Sequence, residues 1–340
     1  MIEFAEYLHP RPDAFWTTLR QVGVERAVST LDRSPNPMGH RTADLPWGRG
    51  AVRQLKQRYE DMGLELVGIE DSPPLDRTRL GIAGREEEIE HFCTLVRSMG
   101  DAGIPMLCYN WMAVIPWLRT SVTLRGRAGA LVTGFDAEAL RDSGPTWAGT
   151  VPAEQFWDAF EHFIKRVAPV AEEAGVRLAL HPDDPPLAPL RGMGRIMNSL
   201  DAFERVLEFV DTPANSLTLC QGNWTLMTDD VPGAIRHFGG MGRIAFGHFR
   251  DVRGTAERFV ETFHDEGQTD MLQAMIAWHE IDFDGVLRCD HVPTLEGDSN
   301  MDPSYSFLAR LHAIGYMTGL REAAVAALAA NGPTGMEVAG

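Results

Sequence analysis

The run VRLALHP, residues 176–182, is mostly apolar and ends in a histidine and a proline. It is too short for a stable helix. Its near-continuous apolar character suits a parallel strand covered on both faces. Seven further runs read the same way: IEFAEY (2–7), VERAVS (24–29), LELVGIE (64–70), PMLCYNW (105–111), SLTLCQG (216–222), RIAFGHFRD (243–251) and GVLRCDHVP (285–293). Helical patterns lie between many of them. AVRQLKQRYEDMG precedes the third run with Gly63 at its end, and SLDAFERVLEFV precedes the sixth with Ser199 placed as its N-cap. A last helix spans about Ser306 to Ala330. Eight strands alternating with helices predict an α/β fold, a (β/α)8 TIM barrel in one domain over residues 1–330, with 331–340 as a tail. An open doubly wound sheet is the rival, but neither G-x-G-x-x-G nor a phosphate-binding G-x-x-x-x-G-K-[ST] is present.

The chain has 340 residues, which length alone would divide into one large domain or two of about 150. At 44% hydrophobic and 23% charged it has the composition of a folded globular protein. Its formal net charge of -17 argues against a nucleic-acid partner, which calls for a basic surface. The longest uncharged apolar stretch, Gly103 to Leu118, is interrupted by Pro105, Asn110 and Pro116, so no membrane segment is expected. Acidic residues at the N-terminus are unlike a signal peptide. A cytoplasmic protein is therefore expected. Its cysteines, Cys93, Cys108, Cys220 and Cys289, form no C-x-x-C pair and are read as free thiols.

Two connections are long. One, from Met112 to about Ala153, contains Arg119 and is read as a lid over the C-terminal face of the barrel, where such loops sit. The other runs from Asp183 to Asn198.

Metal-capable side chains stand at the ends of consecutive strand candidates. The fifth ends in His181, the sixth in Cys220, the seventh in His248 and the eighth in Asp290 followed by His291. On a closed barrel these ends share one mouth. Each is embedded in apolar sequence, where an unpaired polar group costs several kcal/mol, about the penalty a metal or a partner would relieve. His181, Cys220, His248 and Asp290 are thus expected to converge on one divalent ion. One thiolate and two imidazoles suit Zn²⁺, Fe²⁺ or Co²⁺, and the carboxylate also tolerates Mn²⁺. Cys289 should face away from the mouth by strand alternation, and Cys93 and Cys108 are read as packing. Glu70 and Asn110, at the ends of the third and fourth strands, are placed on the substrate side.

Together with GIAGREEEIEHF, CYNWM and its downstream WLRT, HPDDPP, LTLCQGN, GHFRDV, FVETFHDEGQTDM, RCDHVP and PSYSFLARLHAIGYMTGLREA, these residues resemble the mannonate dehydratase family. That family works in hexuronate breakdown on a xylose-isomerase-like TIM barrel. The similarity runs from about Glu3 to Ala324. It implies dehydration of D-mannonate to 2-keto-3-deoxy-D-gluconate, usually with Mn²⁺, at a site of His181, Cys220, His248 and Asp290. It further implies an acid/base pair, His291 and Tyr305, with the direction of proton transfer left open. Substrate contacts are expected from Glu70, Asn110, Arg119 and Asp183, and from the cluster His264, Gln268 and Asp270, where Asp270 has a helix cap as its other reading. The partner is then a small sugar acid, with a homo-oligomer of two or more copies as the family habit. After the cysteine this chain reads QGNWTLM, where many members have a CTGS-like sequence. An isomerase or epimerase on the same barrel, or a sugar-acid binder without catalysis, are the alternatives.

Overall fold

In the computed structural model, residues 2–34 and 45–331 are described; His40 and residues 332–340 of the expected tail lie outside the described residues. In chain order the elements are β1 (Glu3–Leu8), α1 (Ala14–Gln21), β2 (Arg26–Ser29), α2 (Arg49–Asp61), β3 (Glu65–Glu70), α3 (Asp76–Arg79), α4 (Arg85–Ala102), β4 (Met106–Asn110), β5 (Ser121–Arg125) and β6 (Leu131–Asp136). They continue as α5 (Ala153–Ala174), β7 (Arg177–His181), α6 (Leu200–Phe209), β8 (Asn215–Cys220), α7 (Gln221–Trp224), α8 (Val231–Gly240), β9 (Ile244–His248), β10 (Val252–Thr255), β11 (Arg258–Glu261), α9 (Met271–Glu280), β12 (Val286–Arg288) and α10 (Phe307–Asn331).

Eight strands close into a parallel barrel in the order β1-β12-β9-β8-β7-β4-β3-β2. Each overlaps one of the eight apolar runs. Local chemistry sets the ends of the helices between them. The Ser199 hydroxyl accepts the Ala202 N–H at 3.2 Å and starts α6. Gly63, just past α2, takes φ +71°, a conformation open to glycine at little cost. Among the described residues no helix is long and apolar enough to cross a membrane.

Alternation along the strands decides which residues reach the site. Leu178 and Leu180 of β7, Leu217 and Leu219 of β8, and Leu287 join the large core shared with the helices. Ala179, Phe246 and Val286 belong instead to a small separate cluster with Ala5, Val28, Val67 and Met106, which fills the barrel interior. His181 stands two residues beyond Ala179, Cys220 two beyond Thr218 and His248 two beyond Phe246. Side chains two apart share a face of a strand, so these three continue the interior layer upward to the mouth.

The connection from Met112 to Ala153, expected as a lid, carries regular structure of its own. Its strands β5 and β6 join β10 and β11 in an antiparallel four-stranded sheet, ordered β10-β11-β6-β5. The two halves come from the connections after β4 and after β9, more than 100 residues apart in the chain.

Candidate active site

At the C-terminal end of the barrel lies a cavity of about 440 Å³ whose lining includes Glu70, Asn110, His181, His248, Asp290, His291 and Tyr305. One ligand atom each of His181, Cys220 and His248 lies within 4.8 Å of the others. Asp290 lies against two of the three: its Oδ2 is 3.6 Å from the Cys220 Sγ and 3.5 Å from the His248 Nδ1. Asp290 takes φ +53°, a left-handed conformation that Asp tolerates better than bulkier residues. The four residues predicted at the strand ends are therefore brought together.

Their protonation suits a cation. Burial, with His248 beside it, pushes the His181 pKa down to about 4. Burial and the Arg288 charge do the same to His248, also to about 4. Both imidazoles are neutral near pH 7, as a metal ligand must be. His181 Nδ1–H donates to the Pro182 carbonyl at 2.7 Å, which leaves Nε2 with its lone pair free. Burial disfavours the Asp290 charge, but the groups facing it, the Arg288 guanidinium among them, outweigh burial and hold the carboxyl well below the ordinary range. Burial raises the Cys220 thiol pKa, so ligation would require loss of its proton. His248 supplies the test of fit. It is 1% exposed, and neither ring nitrogen has a hydrogen-bond partner. Buried polar atoms are rarely left so. An ion would take the lone-pair nitrogen of this ring, and the N, N, S, O donor set of His181, His248, Cys220 and Asp290 fits a first-row divalent ion.

Arginines frame these groups. Arg250 Nε donates to Asp290 Oδ2 at 2.6 Å, Nη1 to Glu261 Oε2 at 2.9 Å, and Nη2 to Asp184 Oδ2 at 3.0 Å. Gly222 makes room for it, since a Cβ there would stand 2.4 Å from Arg250 Nη1. Arg288 Nη2 bridges Asp290 Oδ1 at 2.8 Å and Glu70 Oε1 at 2.9 Å.

His291 and Tyr305 stand beside the ligand group. The His291 Nδ1 is 3.0 Å from Glu261 Oε1. Its ring meets the rings of Trp117 and Tyr305 edge to face, each with centroids 5.6 Å apart. Burial raises the Tyr305 phenol well above its usual pKa, against the pull of Arg288, so it remains protonated at neutral pH.

Five predicted substrate contacts are placed elsewhere. Arg119 is buried and spent on carboxylates: Nη1 donates to Asp184 Oδ1 at 2.5 Å, and Nη2 pairs with Glu261. Asp183 is fully buried outside the cavity lining, with Oδ2 accepting the Met197 N–H at 2.9 Å; its neighbour Asp184 lines the cavity instead. His264 is also buried, and its Nε2 bonds the Cys289 carbonyl at 2.7 Å. Gln268 bridges Thr225 and Gly254, each at about 3 Å, away from the mouth. Asp270 caps α9 by accepting the Gln273 N–H at 3.0 Å. For Arg119, His264, Gln268 and Asp270 a local hydrogen bond or ion pair uses polar atoms that the substrate was expected to take; Asp183 is held through Oδ2 while its buried Oδ1 has no partner.

Glu70 and Asn110 do line the cavity. So does Cys108, which shares the interior face of β4 with Asn110 and is not mere packing; its Sγ lies 3.2 Å from Thr218 Oγ1. Cys289 points away, as alternation requires, and donates to Glu6 at 2.8 Å. Arg288, Arg250, Asp184 and Glu261 were missed. Arg288 and Arg250 had a signal: each is a charge in an apolar stretch, two residues from a ligand on the same side of the chain. Glu261 had only its place between Val260 and Phe263.

The sequence model of the D-mannonate dehydratase (UxuA) family matches residues 13–147 and 145–330. A mannonate dehydratase of Thermotoga neapolitana is 32% identical over 345 residues, covering 90% of this chain and 92% of that protein. The crystal structure of mannonate dehydratase from Streptococcus suis serotype 2 superposes with a TM-score of 0.87 at 29% identity, over 96% of each chain. A structure of L-ribulose 3-epimerase, at 17% identity and a TM-score of 0.57, shares the fold.

Proposed function

The chain belongs to the D-mannonate dehydratase family, and from that premise we propose that it removes water from D-mannonate to give 2-keto-3-deoxy-D-gluconate. The observation that carries the reading to this chain's own residues is a cavity lined by His181, His248, Asp290, His291 and Tyr305, with the Cys220 thiol buried behind it against His181, His248 and Asp290. A divalent ion held by those four, Mn²⁺ in this proposal, would supply Lewis acidity toward negative charge on the substrate carboxylate and its neighbouring oxygen.

The protein's own groups then have distinct tasks. With its Nδ1–H given to Glu261, His291 keeps the Nε2 lone pair for the proton alpha to the carboxylate, and acts as base. Tyr305, held protonated by burial, donates to the C3 hydroxyl as it leaves as water. The enol so formed becomes the 2-keto acid when its C2 hydroxyl gives up a proton and C3 takes one up. Glu70 and Asn110 lie on the cavity wall where substrate hydroxyls would bind. A cytoplasmic location and assembly into homo-oligomers belong to the same proposal and rest on the family resemblance.

The test is to incubate the Mn²⁺-loaded enzyme with D-mannonate and a panel of other aldonic acids and follow 2-keto-3-deoxy product. The expected result is turnover of D-mannonate that chelation abolishes. Turnover of another acid alone would replace the substrate, and a keto–aldose exchange without loss of water would replace the reaction.

A further inference from the structure

We propose that Glu261, on the antiparallel sheet outside the barrel, is the positioning residue that fixes the tautomer and aim of the His291 imidazole. The inference rests on the reading of His291 as the base. Three features of the structure carry it.

First, the contact is direct and dry. Glu261 Oε1 lies 3.0 Å from His291 Nδ1, and the two side chains are 3% and 8% exposed. A carboxylate accepts only, so Nδ1 carries a proton, and in the neutral ring the lone pair falls to Nε2. Second, Glu261 is itself held. Arg250 Nη1 donates to Oε2 at 2.9 Å, while Arg119 reaches Oε1 through Nε at 3.2 Å and also through Nη2. The carboxylate has little freedom to turn away. Third, the imidazole plane is fixed by Trp117 and Tyr305, whose rings meet it at 76° and 83°. With the plane set by the rings and Nδ1 set by Glu261, the remaining nitrogen has one direction left. When His291 takes up a proton, the same carboxylate faces the new positive charge.

This gives the inserted sheet a task. Glu261 ends β11, and β11 pairs with β6 from the connection after β4. Two barrel connections thus build a platform whose one buried acid is delivered to a residue of a third. Arg119, expected to bind substrate, serves here to hold Glu261.

The experiment compares Glu261→Gln, Glu261→Asp and His291→Gln with the parent enzyme, all metal-loaded. Glu261→Asp keeps the charge facing Arg119 and Arg250 but withdraws it from His291 by one methylene. Steady-state kinetics with D-mannonate should show kcat lowered about 10²- to 10⁴-fold in both Glu261 variants, with KM within about threefold. A second readout is the proton spectrum of the Zn²⁺-loaded protein. A hydrogen-bonded imidazole N–H should appear downfield of the amides in the parent and vanish in His291→Gln and in both Glu261 variants. If Glu261→Gln does not fold, Arg119→Met/Glu261→Gln removes one charge of each sign and the same two readings apply. An inactive His291→Gln beside Glu261 variants with kcat within about threefold of the parent, or with the downfield N–H intact, would overturn the role of Glu261 alone. Full turnover by His291→Gln would overturn the base assignment and this inference with it.

Discussion

Cys220 and Tyr305 carry the sharpest single-residue consequences. Tyr305 packs against Tyr7 as well as His291, so its ring would stay in place without the hydroxyl. Tyr305→Phe should lower kcat about 10²- to 10⁴-fold with KM little changed, as expected when a general acid is lost and binding is kept. Turnover near the parent level would end its role as acid. Cys220→Ser exchanges a soft thiolate for a hard, poorly ionised hydroxyl in a fully buried position. Metal titration should show affinity weaker by at least about tenfold, with the bound Mn²⁺ lost on dialysis against chelator. Unchanged metal content would remove Cys220 from the ligand set. The candidate ligands were legible in the sequence because His181, Cys220 and His248 end strands on the inward face and Asp290 follows β12 closely, where apolar neighbours make a polar residue conspicuous. His264, Gln268 and Asp270 looked equally polar. What sequence cannot show is that a backbone carbonyl, two loop groups and a helix N-terminus already use them.

The barrel strands and the inserted strands differ at the element scale for a physical reason. A strand buried on both faces must be apolar throughout, and that pattern is readable without knowing its neighbours. β5 (SVTLR), β10 (VRGT) and β11 (RFVE) are short and mixed in polarity, and much of β5 and β10 is exposed. β5 and β10 pair in local hairpins with β6 and β11, but the two hairpins are joined by β6–β11 contacts across more than 100 residues, of which periodicity gives no warning. The sheet is tied to the barrel by buried ion pairs, and this makes its attachment sensitive to pH. Burial disfavours the Glu261 charge, but Arg250 and Arg119 outweigh it and hold the carboxyl well below its ordinary range. A depressed carboxylate contributes stability above its unfolded pKa, about 4.3, and that contribution fades as pH falls below it. Glu261→Gln should therefore be less stable by about 3–5 kcal/mol at pH 7, the usual cost of breaking a buried pair from one side. The gap to the parent should narrow below about pH 4. Denaturant unfolding at pH 7, 5 and 3.5 checks this, and a gap independent of pH would mean that the ion pairs do not hold the sheet.

At the scale of the whole molecule, the net charge of -17 has a kinetic consequence. An anionic substrate must approach an acidic protein before the arginines and the metal site can act on it. A 340-residue domain has a radius of gyration of about 20 Å, hence an effective radius of about 26 Å. Spread over such a sphere, the charge raises the energy of a univalent anion at the surface by about 1.4 kcal/mol at 10 mM salt and about 0.6 kcal/mol at 150 mM. The difference corresponds to about a three- to fourfold change in the local concentration of substrate. Raising the salt should thus increase kcat/KM for D-mannonate about threefold, while kcat, measured at saturation, stays level. The opposing effect is local: Arg288 and a divalent cation, once bound among the cavity's carboxylates, would add positive charge at the mouth. If that field governed encounter, salt would lower kcat/KM instead. Steady-state measurements at 10 and 150 mM KCl with the metal kept saturating decide between them by sign. A rise means that the acidic surface sets the cost of approach and the cation site acts only at close range; a fall means that the site steers its substrate from outside the barrel.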